Sequence, residues 1–146
     1  MPDADLHGKR ALIVGGETAL GRALAVGLAE AGAGVAIVTL SPDSKAGFAV
    51  NSALNELWAL DRRGIALAID ASEAAQMRDA VDRAERELGR LDLAAAVVPR
   101  GAPVRAPDEG AVALDALRTA LDGRPVVVIA ADADAAEALR AVRERF

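Results

Sequence analysis

The stretch RALIVGGETALGRALAVGLAEAGAG, Arg10 to Gly34, constrains this chain more than any other. A short apolar run ends on Gly15 and Gly16 and passes directly into a helical pattern, in which Leu20, Leu24 and Leu28 recur every four residues. Gly32 and Gly34 then stop the helix. A strand entering a helix through glycines leaves the helix's first N–H groups, and the positive end of its dipole, at the strand's carboxyl end. A continuous apolar strand of this kind is buried on both faces, which is the habit of parallel sheets.

The alternation continues along the chain. VAIVTL, residues 35–40, reads as a second strand, and SPDSKAG after it as a loop rich in turn formers. Val50, Leu54, Leu57 and Trp58 share a helical stripe that extends to Asp61. GIALAID, 64–70, reads as a third strand, and Ser72 as the cap of a helix marked by Met77, Val81, Ala84 and Leu88. LDLAAAVV, 91–98, is a fourth strand, and PRGAPVRAPDEG a loop with three prolines. Leu114, Leu117 and Leu121 mark a short helix, and RPVVVIAA, 124–131, is the clearest strand of all. Asp132 or Asp134 caps a last helix carrying Ala138, Leu139, Val142 and Phe146. Five strands alternating with helices predict a doubly wound parallel sheet, with its site at the carboxyl ends of the strands.

Composition excludes several kinds of chemistry. With 146 residues the chain suits a single domain. It has no cysteine, so thiolate catalysis, disulfides and cysteine metal sites are absent from it. Its net charge of −5 argues against nucleic acid as a main partner. No apolar run approaches the ~20 residues of a membrane span. The opening MPDADLHGKR lacks the apolar core of a secretory signal, and the expected compartment is the cytoplasm. Neither receiver-type acids nor a Gly-Lys-Ser/Thr loop follows the first strand.

The segment LHGKRALIVGGETALGRALAVGLAEAGAGVAIV resembles the opening of short-chain dehydrogenases/reductases, typically L-x-G-K-x-A-L-V-T-G-x-x-x-G-I-G-R-A. Leu6, Gly8, Lys9, Ala11 and Leu12 match the lead-in, Gly15 and Gly21 the first and third glycines, and Leu20 and Arg22 their neighbours. AIDAS and ERELGRLDLAAAVV resemble the family's third-strand end and its run into the fourth strand. The resemblance implies a Rossmann-like fold of five strands in the order 3-2-1-4-5, as one domain over 1–146, with NAD or NADP as cofactor. It carries cofactor contacts onto Gly15, Glu17, Thr18, Ala19, Leu20, Gly21, Thr39 and Asp70.

The departures weigh as much as the matches. The threonine before the first glycine is Val14, the second glycine is Ala19, and Asn-Asn-Ala-Gly after the fourth strand reads Ala96, Val97, Val98, Pro99. The family's catalytic serine and Tyr-x-x-x-Lys have no counterpart: there is no tyrosine, the lysines stand at 9 and 45, and no serine follows Ser72. The family's last strands and substrate loop have no match either.

Three functional readings follow. One is a non-catalytic structural or regulatory subunit with weak NAD(P) binding. The second is an oxidoreductase whose site is completed by another chain. The third is a module for a nucleotide or other anion. A methyl at Ala19 crowds the pyrophosphate's approach, Thr18 offers it a hydroxyl, and the Glu17 charge repels it. The second strand ends in Thr39, Leu40 and Ser41, with neither an acid for ribose hydroxyls nor an arginine for a 2′-phosphate. Asp70 suits a capping role as well as a place beside adenine. His7 reads as a surface residue, and Arg100 and Arg105 as solvated. Asp132, Asp134 and Glu137 read as capping acids rather than a metal site, and Phe48 and Trp58 as core or interface packing residues. The fifth strand has a central strand's composition at a sheet edge, which predicts association with a second copy or with a fuller dehydrogenase-like subunit. The alternative is that the last helix folds across that edge.

Overall fold

The structure, a computed structural model, describes residues 6–98 and 112–146. Its five strands, β1 (Arg10–Val14), β2 (Gly34–Val38), β3 (Gly64–Leu67), β4 (Leu93–Val98) and β5 (Val126–Ala130), form one sheet in the order β3-β2-β1-β4-β5. Every pairing is parallel. The five helices are α1 (Ala19–Glu30), α2 (Ser44–Ala59), α3 (Ala74–Leu88), α4 (Leu114–Leu121) and α5 (Ala135–Arg143).

Alternation along the strands sorts the core into two layers. Ala11 and Ile13 of β1, Val35 and Ile37 of β2, and Leu93, Ala95 and Val97 of β4 pack with α1, α2 and α5. Leu12, Val14, Ala36, Val38, Ala94 and Ala96 point the other way, onto α3 and α4. The alanines of β4 cost it strand propensity but suit a position buried on both faces, where a small side chain lets helices approach closely. α5 lies against α1, and a side chain on Gly27 would meet Leu139 at 2.6 Å.

Several element ends differ from the sequence reading. α2 begins inside SPDSKAG, because the Asp43 carboxylate accepts the Ala46 N–H at 2.8 Å and Ala46 extends the apolar stripe back by one turn. That contact and the Ser41 hydroxyl hold Asp43 below its ordinary pKa. At its other end α2 stops at Ala59, and Asp61 is an exposed turn residue with φ 59° rather than part of the stripe. Ser72 does not cap α3. The cap position is Glu73, while the Ser72 N–H and hydroxyl both donate to Asp70, at 3.0 and 2.6 Å. β3 ends at Leu67, three residues early, where Ile69 turns aside to bond Thr39. Asp134, one of the two expected caps of α5, accepts the Glu137 N–H at 3.0 Å.

Phe48 and Trp58 correct the core half of the packing assignment. They are 78% and 57% exposed, so neither belongs to the core. They lie on α2's outer side, off the buried stripe Ala46, Val50, Ala53, Leu54 and Leu57.

A polar clamp closes the far side of the sheet. Glu85 accepts from Arg124 at 2.8 Å and from the Leu91 N–H at 2.9 Å, tying α3 to the segment entering β5. Burial pushes the Glu85 carboxyl up, but these two donors outweigh it and hold the group below its ordinary value.

Candidate functional site

β1 and β4 are neighbours although five elements separate them in sequence, so the strand order reverses beside β1 and the glycine turn opens there. Close packing fixes that turn. Gly15 has φ +91°, which only glycine adopts without strain, and a side chain there would meet the Val97 carbonyl at 2.9 Å. A side chain on Gly16 would lie 1.9 Å from Ile37, and one on Gly21 2.1 Å from the Gly15 carbonyl. The N–H groups of Gly15 and Gly16 both donate to the Val38 carbonyl, at 2.9 and 3.0 Å. The turn is thereby fastened to the end of β2.

Thr18 serves the turn itself. It caps α1, accepting the Gly21 N–H at 2.9 Å and donating its hydroxyl to the Gly15 carbonyl at 2.7 Å. Its one hydroxyl proton is committed, contrary to the expectation of a free donor. The N–H groups of Glu17, Ala19 and Leu20 have no acceptor among the described residues. They lie at the start of α1, where the dipole favours negative charge. Ala19 is exposed at the first helical position, so its methyl lies on the surface an approaching anion would meet. These free donors fit a pyrophosphate, and the methyl weakens the fit.

The other assigned positions divide. Thr39 is fully buried, and its hydroxyl donates to the Ile69 carbonyl and accepts the Ile69 N–H, both at 2.8 Å. It is a brace between the ends of β2 and β3. Asp70 is held by Ser72, whose N–H and hydroxyl both donate to the same carboxylate oxygen. The Glu17 carboxylate reaches across to the end of β2 and accepts the Leu40 N–H with both oxygens, at 3.0 and 2.9 Å. The sequence alone places its charge beside the pyrophosphate. The reach joins residues 23 apart, and no local pattern announces it.

His7 and Lys9 precede β1, at the opposite end of the sheet, and both are exposed. Arg62 and Arg63 line the hollow there, of about 230 Å³, and donate to the Ala29 and Glu87 carbonyls near the ends of α1 and α3. Arg100 and Arg105 lie outside the described residues. Among the described residues no group of three acids or histidines is placed to hold a metal, and no helix is long and apolar enough to cross a membrane.

The sequence profile of the family described as short chain dehydrogenase matches residues 9–112. The chain belongs to the short-chain dehydrogenase family. An L-rhamnose 1-dehydrogenase (NAD(P)(+)) of Sphingomonas sp. is 36% identical over 88 residues, 60% of this chain and 33% of that protein. A cyclohexanol dehydrogenase of Rhodococcus sp. is 32% identical over 111 residues, 71% of this chain and 40% of that protein. Among solved structures, a short chain dehydrogenase from Burkholderia cenocepacia J2315 in complex with NADP superposes with a TM-score of 0.66 at 30% identity, covering 84% of this chain and 55% of that one. This short-chain dehydrogenase chain therefore spans well under half the length of these two curated relatives.

Proposed function

We propose that these residues form the dinucleotide-binding unit of a short-chain dehydrogenase without that family's proton-transfer groups. In this reading the unit binds NAD(P) weakly, does not transfer hydride by itself, and serves as a structural or regulatory subunit. The observation that carries it is the turn from Gly15 to Gly21, which keeps the tight geometry and three unpartnered N–H groups of a phosphate site. The 146 residues contain no tyrosine, and Lys9 stands at the wrong end of the sheet for catalysis at that turn. When bound, the cofactor would supply hydride chemistry. The chain's own contribution is to seat the pyrophosphate at the Glu17, Ala19 and Leu20 N–H groups.

Calorimetric titration with NAD+ tests this reading, with ATP and ADP as controls for a general nucleotide or anion site. Binding is expected, and Ala19→Gly should tighten it about fivefold, or ~1 kcal/mol, by clearing the methyl from the approach. Absence of heat with every nucleotide would refute the site. Equal affinity for ATP would favour the anion module.

A second reading, an oxidoreductase whose site another chain completes, draws support from the dehydrogenase relatives and from an open sheet edge. β5 is the outermost strand among the described residues, with Val128 39% exposed. α5 packs on α1 instead of folding across that edge, and its Ala138 and Val142 share the α1 layer with Ile129. We propose that the β5 edge, with α4 and α5 beside it, associates with a second copy or a fuller dehydrogenase subunit. Size-exclusion with light scattering at micromolar concentration should show a dimer or larger species, and a monodisperse monomer would remove the homo-oligomer.

A further inference from the structure

The end of β2 lacks an acid in sequence but has one in space. Residues 39–41 are Thr, Leu and Ser. The Glu17 carboxylate nevertheless stands at that strand end, with its two oxygens 3.0 and 2.9 Å from the Leu40 nitrogen. Its position follows from the tightness of the turn. Both glycine N–H groups before it are fastened to Val38, and Gly16 is wedged against Ile37. Glu17 is half-buried, and among the described residues no lysine or arginine pairs with it.

Two chemical consequences follow. An ionised carboxylate offers about four acceptor sites, and a single shared N–H leaves most of them unused. A ribose with free hydroxyls can donate to them. A ribose bearing a 2′-phosphate instead brings a second negative group toward a carboxylate that no lysine or arginine pairs with among the described residues. The neighbouring Thr39 hydroxyl takes no part, being spent on Ile69 in both directions.

We infer that Glu17 is the residue that reads the adenosine ribose and selects the cofactor: the site takes a dinucleotide with a free 2′-hydroxyl and rejects its 2′-phosphorylated counterpart. The acid that usually stands on the second strand is delivered here from the glycine turn. This inference rests on the dinucleotide-site reading above.

The test is calorimetric titration of the whole chain with NAD+ and NADP+ separately, for the unchanged protein and for Glu17→Gln, whose fold is checked by thermal melting. The unchanged chain should bind NAD+ at least about tenfold more tightly than NADP+. Glu17→Gln, which keeps an acceptor for Leu40 but loses the charge, should reduce that preference to about threefold or less, mainly by gaining NADP+ affinity. Equal affinity of the unchanged chain for the two cofactors would overturn the inference while leaving the site intact. So would an undiminished preference in a folded Glu17→Gln. Failure of both cofactors to bind the unchanged chain would overturn the site reading and the inference with it. Should Glu17→Gln fail to fold, the NAD+/NADP+ ratio of the unchanged chain alone decides.

Discussion

Gly21→Ala is expected to destabilise the chain by about 2–3 kcal/mol, the cost typical of forcing extra atoms into a packed interior. The added methyl carbon would stand 2.1 Å from the Gly15 carbonyl oxygen and 3.0 Å from the Gly16 Cα. Both obstacles are backbone, so no side-chain rotation relieves them. α1 must tilt away from the turn, which stretches the Thr18 cap on the Gly21 N–H and disturbs Leu20, Leu24 and Leu28, all buried. Alanine's better helix propensity offsets ~0.5–1 kcal/mol of the gross penalty. The net loss should lower Tm by roughly 6–10 °C. Gly47→Ala is the matched control. It lies inside α2, where a methyl would make only an ordinary 3.7 Å contact with Ala68, and it should stabilise by about 0.5–1 kcal/mol. Urea unfolding of the two variants checks both signs. A Gly21→Ala protein as stable as the unchanged chain would show that the helix does not press on the turn.

The same turn shows what was legible in the sequence. Parallel pairing followed from continuous apolar runs alternating with helical stripes, and the strand order from that alternation together with the family lead-in. β1, β4 and α1 needed nothing more. Element ends were less legible because they depend on single side chains finding partners. Asp43 started α2 early, and Ser72 turned back to Asp70 instead of capping α3. A core place for Trp58 and Phe48 does not hold, because a large apolar residue on a helix is normally taken as inward-facing and here both are exposed. At the site, the glycines carried their signal openly, since each has one steric reason to be glycine. The roles of Thr18, Thr39 and Glu17 did not. Thr18 bonds locally, three residues to either side, as the cap of α1, whereas Thr39 and Glu17 are each defined by a hydrogen bond whose partner becomes a neighbour only once the strands lie side by side.

The second large effect expected is the absence of turnover. Reduction of a carbonyl by a nicotinamide needs a proton delivered to the developing alkoxide and a group that polarises the carbonyl, and positioned acid–base groups typically contribute about 10²–10⁴-fold. Of the ionisable groups in this sequence, tyrosine is absent and the single histidine and Lys9 lie beyond the amino end of β1, away from the turn. The other lysine, Lys45, belongs to the first turn of α2. Thr18 has committed its proton to the Gly15 carbonyl. A dinucleotide seated at Gly15–Gly21 would thus find a binding surface but no tyrosine to deliver the proton. The most direct measurement is absorbance at 340 nm, following NAD(P)H over a panel of ketones, aldehydes and secondary alcohols with the purified chain alone. Rates indistinguishable from a heat-killed control are expected, and turnover that co-purifies with the chain and survives removal of contaminating dehydrogenases would show that the chain carries its own proton donor.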